Sequence, residues 1–183
     1  MNNYFQNNNL RVLLIGSNGQ LGNEFQKLFY KKNIEYIATD YKELNIVNST
    51  DLEEFFKENG NFTHIINCAA YNDVDKAENE TEQCFKVNDE APLIIARYAK
   101  KMEAIFVTYS TDFVFDGQKR EPYREEDTPN PLSVYGKSKY EGENKVLEIH
   151  DKSFIIRTSW LFGVGGNNFN KQVISWSKSR DTL

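Results

Sequence analysis

Short apolar, β-branched runs alternate in this chain with longer segments whose apolar residues recur at helical spacing. No other feature constrains the fold as much. The predicted strands are RVLLIG (11–16), EYIAT (35–39), HIINCA (64–69), AIFVTYS (104–110) and SFIIRTS (153–159). The predicted helices are QLGNEFQKLFYKK (20–32), STDLEEFFKENG (49–60), TEQCFKVNDEAPLIIARYAKK (81–101), VYGKSKYEGENKVLEIH (134–150) and NNFNKQVISWSKS (167–179). Ser49 or Thr50 is expected to cap the second helix, with Glu53 or Glu54 as the answering carboxylate. Strands that alternate with helices pair in parallel, because a parallel pair needs a crossover connection. Right-handed crossovers then give an α/β, doubly wound parallel sheet, with its ligand crevice beyond the carboxyl ends of the strands.

Composition narrows the function classes. The chain has 183 residues, 39% of them hydrophobic, enough for one well-filled core. A net charge of −5 with scattered basic residues argues against nucleic-acid binding and against an anionic membrane surface. Cys68 and Cys84 form no CxxC pair, and with only His64 and His150 a histidine-rich metal site is not expected. The opening MNNYFQNNN lacks an apolar run and a cleavage signal, so residues 1–9 read as a flexible leader. No stretch has the length of a membrane span, and the expected location is the cytoplasm. One long irregular segment, FDGQKREPYREEDTPNPLS (115–133), is of the length that is usually functional or mobile.

Glycines at 16, 19 and 22 stand between the first strand and the first helix. A turn of this kind brings backbone N–H groups against a pyrophosphate and lets the helix pack close to the strand. Asp40 ends the second strand near the ~20-residue offset expected of a ribose-binding acid. A carboxylate there accepts hydrogen bonds from a 2′-hydroxyl and repels a 2′-phosphate, which favours NAD over NADP. Lys42 is close enough in sequence to soften that preference.

In YGKSK, Tyr135 precedes Lys139 by one helical turn. An ammonium so placed favours the phenolate, and the phenol can then give a proton to a carbonyl oxygen as hydride reaches carbon. On spacing alone the pair reads more readily as a buried tyrosine and a solvated lysine. The fourth strand ends in YSTDFVFDG and the fifth in RTSWLFG. Ser110, Thr111, Asp112 and Trp160 therefore fall at the same edge of the sheet, where all of them could converge with Tyr135 and Lys139 over one cofactor.

GSNGQLG, NCAAYNDVDKAE, the Val87–Asn88 pair, YSTDFVFDG, YGKSK and RTSWLFG occur in one order and spacing. In these motifs the chain resembles the extended short-chain dehydrogenase/reductases, and most closely the dTDP-4-dehydrorhamnose reductases, over almost all of residues 10–180. The resemblance implies a Rossmann domain over residues 10–183 that binds NADH or NADPH. Gly16, Gly19, Gln20, Leu21 and Gly22 would lie along the cofactor, with Asp40, Asn45 and Ile46 at its adenosine end and Ala70, Tyr71 and Asn72 beside it. Tyr135 would be the proton donor. Lys139 would hold the nicotinamide ribose and depress the tyrosine pKa, and Thr111 would bond the reacting oxygen. Thr111, Asp112 and Trp160 would face the deoxysugar.

The implied reaction is reduction of the 4-keto group of dTDP-4-dehydro-L-rhamnose to dTDP-L-rhamnose, for surface polysaccharide. Related 4,6-dehydratases follow the S-T-D triplet with a glutamate; here Phe113 follows and has no proton to offer. Cys68, Asn45 and Asn72 replace a common Ala, Asp and Thr of the family. Glu24 matches a position that helps bind Mg2+ between subunits in some dimeric members, so a homodimer is possible. Here Glu24 reads as a helix-face carboxylate, and no metal site is assigned. Family members continue beyond SWSKSRDTL, so the resemblance implies that the smaller substrate-binding region is largely missing, with cofactor bound better than sugar nucleotide. Two alternatives stay open: a non-catalytic nucleotide-binding regulatory subunit, and a nucleotide-sugar epimerase or dehydratase.

Overall fold

A computed structural model describes residues 10–163, 165 and 168–179. The leader expected at 1–9 lies outside the described residues. Five strands form one all-parallel sheet: β1 (Arg11–Ile15), β2 (Glu35–Thr39), β3 (His64–Asn67), β4 (Ile105–Thr111) and β5 (Ser153–Thr158). The helices are α1 (Gln20–Lys32), α2 (Ser49–Glu58), α3 (Val74–Ala77), α4 (Thr81–Phe85), α5 (Ala91–Lys101), α6 (Val134–Ile149) and α7 (Phe169–Ser179). A π-helical turn, Lys86–Glu90, joins α4 to α5, and a 3₁₀ turn, Asp112–Val114, follows β4.

The spatial order is β2-β1-β3-β4-β5, so the winding reverses between β1 and β3. Successive side chains of a strand face opposite sides of the sheet, and β1 shows both destinations. Leu13 and Ile15 enter the larger core, with Ile65, Phe106, Leu52 and Phe56 of α2, and Ile95 and Ala99 of α5. Val12 and Leu14 enter a smaller one with Phe29 of α1. A parallel strand buried on both faces reads as a continuous apolar run, as VLLI does here. β5 departs from that rule, since Phe154 and Ile156 on one face stay exposed.

The α2 cap differs from expectation. Asn48 accepts the Thr50 N–H through its side chain at 3.0 Å and donates to Asp51 at 2.7 Å. Ser49 and Thr50 are already inside the helix, because the asparagine one position earlier satisfies the orphan amide. The last helix begins at Phe169, two residues later than the periodicity suggested.

The 115–133 segment is an ordered loop. Asp116 accepts from the Gln118 amide, the Tyr123 hydroxyl and Asn130 Nδ2. Phe115 stacks on Tyr123 with centroids 4.1 Å apart, and Lys119 pairs with Asp127.

Candidate active site at the carboxyl edge of the sheet

β1 and β3 end side by side, with Ile15 in register with Asn67, and the Cys68 amide bonds Ile15 O at 2.8 Å. The chain must leave β1 without colliding with that neighbour. Gly16 has φ +75°, and a Cβ there would stand 2.5 Å from Ala69 N. Only glycine fits both the left-handed backbone and the contact. The Gly16 and Ser17 amides bond Thr39 O of β2, which folds the turn back over the sheet. Gly19 then precedes α1 with no side-chain cap, leaving the positive end of a 13-residue helix available to an anion.

Asp40 is fixed in this turn. Its Oδ2 accepts the Asn18 N–H at 2.9 Å and its Oδ1 accepts the Tyr41 N–H at 2.8 Å. A cleft of about 140 Å³ opens beside it, lined by Gly16, Asp40, Asn45, Ile46 and Ala70 among others. Five of the expected cofactor residues thus meet in one cavity. Tyr41 and Leu44 also line it and were not anticipated. Their signal lay in YKELNIV, whose apolar residues return beneath the carboxylate.

Tyr71 is tied to the π-helical turn. Asn88 Oδ1 accepts the Tyr71 N–H at 2.9 Å, Asn88 Nδ2 donates to Tyr71 O at 3.0 Å, and the Tyr71 hydroxyl donates to Glu80. Asn72 is exposed beside it. At the start of α1, Gln20 Oε1 accepts from Asn168 Nδ2 and Leu21 is half-buried.

The reacting groups come from β4 and α6. Thr111 ends β4, and its Oγ1 accepts the Phe113 N–H and donates to Asp112 Oδ1, both at 3.2 Å. Ser133 caps α6 by accepting the Gly136 N–H at 3.1 Å, and Glu78 accepts the Val134 N–H at 2.8 Å. Tyr135 therefore sits in the first turn, buried, with the Phe113 ring edge-on at 5.8 Å. Lys139, one turn later, is also buried.

Burial raises the Tyr135 pKa, as does the neighbouring Asp112 carboxylate, while the Thr111 hydroxyl pulls it down. Burial lowers Lys139 to about 8, against the opposing pull of Glu143. The expectation that Lys139 depresses the tyrosine pKa is not met. Desolvation of the phenol wins, and Tyr135 stays protonated at neutral pH, the form a proton donor needs.

Thr111, Asp112 and Tyr135 are brought together, with Lys139 one turn away; Trp160 follows β5 at the carboxyl end of the sheet. Its backbone is left-handed at φ 51° and its ring packs on Phe169 at 4.9 Å. Glu24 is a helix-face carboxylate paired with Lys27 at 2.6 Å. Among the described residues no cluster of three or more His, Cys, Asp or Glu side chains suits a metal, and no helix is long and apolar enough to cross a membrane.

Residues 10–183 match the family described as RmlD substrate binding domain. The chain belongs to that family. This RmlD-family domain is 42% identical over 177 residues to the dTDP-4-dehydrorhamnose reductase of Aggregatibacter actinomycetemcomitans, covering 94% of the chain and 59% of that protein. A crystal structure of a dTDP-4-dehydrorhamnose reductase from Clostridium acetobutylicum matches with a TM-score of 0.91 at 44% identity, over 95% of this chain and 61% of the other. The Bacillus anthracis enzyme in complex with NADP matches with a TM-score of 0.88 at 40% identity, over 93% and 60%. The chain spans about three-fifths of the length of these relatives. The motif resemblance is borne out for the family and the Rossmann-type fold.

Proposed function

We propose that this RmlD-family domain forms the cofactor-binding and proton-donating part of a dTDP-4-dehydrorhamnose reductase. Its reaction is reduction of the 4-keto group of dTDP-4-dehydro-L-rhamnose to dTDP-L-rhamnose. The reading rests chiefly on one observation: Thr111, Tyr135 and Lys139 sit at the carboxyl edge of the sheet that also carries the Gly16 turn and Asp40.

The residues fit a dinucleotide. Gly16 and Asp40 line one cleft, and the uncapped start of α1 suits a pyrophosphate. Asp40 would accept a ribose hydroxyl, and the Lys139 ammonium would hold the nicotinamide ribose. Bound NADH or NADPH supplies the hydride. Thr111 orients the ketone oxygen and Tyr135 delivers the proton to it as charge develops there. Asp112 and Trp160 are proposed to face the sugar. Asp40 favours NADH, because its carboxylate is held in place and repels a 2′-phosphate. Phe113, packed on Tyr135, carries no proton for an elimination, which supports reduction over dehydration.

The test is single-turnover oxidation of bound NADH by the keto-sugar, followed at 340 nm. Tyr135→Phe should slow it about 10²- to 10⁴-fold with NADH affinity unchanged. Equal rates in the two proteins would overturn the role of Tyr135.

A further inference from the structure

Glu143 lies one helical turn beyond Lys139, and its side chain is 5% exposed. Arg157 of β5 clamps it, Nε donating at 3.0 and 3.2 Å to the two carboxylate oxygens and Nη2 at 2.6 Å to Oε2. Two things fix the guanidinium. Arg157 stands opposite Ser110 in the β4–β5 register, one position before Thr111, and its Cζ lies 5.1 Å from the centre of the Phe115 ring. Arg157 thus holds a buried carboxylate that lines one small cavity with Lys139.

We propose that Glu143 is a positioning residue that keeps Lys139 in its charged form, with Arg157 as a second cation that competes for the same carboxylate. This rests on the reading of Lys139 as the group that holds the nicotinamide ribose. A buried ammonium sheds its proton unless an opposite charge stands near, and Glu143 is the carboxylate on the same helix face. The other titratable or charged groups around Lys139 are Tyr135 on its own helix, the Cys84 thiol from α4, the Tyr109 phenol from β4 and Arg157 from β5. Tyr140 and Glu125 act on Arg157, and Asp89 of the π-helical turn is taken by Lys145. Glu143 is thus the carboxylate that acts on Lys139. If the pair only strapped α6 to β5, losing either partner would have the same consequence. A charge-holding role makes the two losses opposite in sign.

The experiment follows the 13Cε resonance of Lys139 against pH in protein labelled at lysine, assigned by its disappearance in Lys139→Met. Glu143→Gln should lower the proton affinity of Lys139 about tenfold or more. Arg157→Gln removes a neighbouring cation and keeps the carboxylate, so it should raise that affinity. Shifts of the same sign, or none in either variant, would overturn the proposal. Should Glu143→Gln fail to fold, Glu143→Asp, which keeps the charge but draws it back from Lys139, should lower that affinity part of the way, and no shift there would overturn the proposal. The titration needs no cofactor, so its failure is distinct from a failure of wild-type protein to bind NADH, which would instead overturn the functional reading. Where NADH binds, its affinity should fall on the alkaline side, and at lower pH in Glu143→Gln than in wild type.

Discussion

Asn88 donates from Nδ2 to Ser138 Oγ at 3.1 Å, and Ser138 in turn donates to the carbonyl of Tyr135 at 2.8 Å. The same amide bonds both the N–H and the C=O of Tyr71. One side chain therefore joins the strand-end segment proposed to run beside the cofactor to the helix turn that carries the phenol. It does so from a π-helical turn, a local widening of the helix that recurs at functional sites. Cys84 completes the cluster, its sulfur 3.1 Å from Ser138 Oγ. Asn88→Ala leaves several of these buried groups without partners, each worth ~1–3 kcal/mol. A loss of about 3 kcal/mol in urea unfolding is expected, together with weaker NADH binding. Lowered stability with NADH affinity intact would confine Asn88 to a structural role.

Lys139 makes stability depend on pH in a direction that can be worked out. Burial lowers its pKa from 10.5 to about 8. Between those values the unfolded chain binds the proton that the folded chain has released, so stability rises with pH across that window. Its contribution is fully present above 10.5 and is lost as pH falls through 8. Cys68, raised by burial to about 12, acts oppositely above its ordinary range, as do Tyr109 and Tyr135. Comparison with Lys139→Met isolates the lysine. The variant should be about 2–3 kcal/mol more stable than wild type at pH 7, with the advantage gone near pH 10.5. It should also bind NADH less well, since a residue kept for its charge costs stability. Urea unfolding at both pH values checks the first point, and NADH fluorescence the second.

Asp40→Asn separates charge from shape at the cleft. The amide oxygen can still accept one of the Asn18 and Tyr41 N–H bonds, while repulsion of a 2′-phosphate disappears. The ratio of NADPH to NADH affinity should rise about tenfold, the scale of one charge contact largely screened by water. Fluorescence titration with the two dinucleotides measures it. An unchanged ratio would mean that the 2′ position lies away from Asp40.

Much of this was legible in the residues because strands and helices leave local traces. VLLI is apolar throughout because β1 is buried on both faces, and EYIAT matches β2 residue for residue. Asp40 was marked by its offset from the glycine turn, whereas Asn45 and Ile46 came only with the family resemblance; all three line one cleft. The four-residue α3 spans too few positions to show periodicity. The π-helical turn inside 81–101 changes the helix phase by one residue, which apolar spacing does not reveal. The Glu143–Arg157 clamp joins groups from two elements, so no window of sequence contains it. Trp160 was placed at the correct edge, but its contact with Phe169 depends on the chain after β5. The raised pKa of Tyr135 was missed because spacing shows Lys139 as a neighbour and says nothing of how deeply the phenol is buried.

Gly136 gives the sharpest test of how the proton donor is held. It follows Tyr135 in the first turn of α6, where Ala is ordinarily the better helix former by ~1 kcal/mol. A Cβ at this position would stand 2.3 Å from the Phe113 carbonyl oxygen and 3.1 Å from Pro131 Cβ. The carbonyl is backbone, in the 3₁₀ turn just after Thr111, and cannot swing aside as a side chain would. Gly136→Ala must therefore push the start of α6 away from β4, carrying Tyr135 from Thr111. Overpacking of this kind costs ~1–3 kcal/mol, which outweighs the propensity gain. The variant should unfold at lower urea and lose single-turnover rate like Tyr135→Phe, while binding at the distant Asp40 cleft persists. An equally stable Gly136→Ala variant with wild-type turnover would show that α6 does not rest on Phe113.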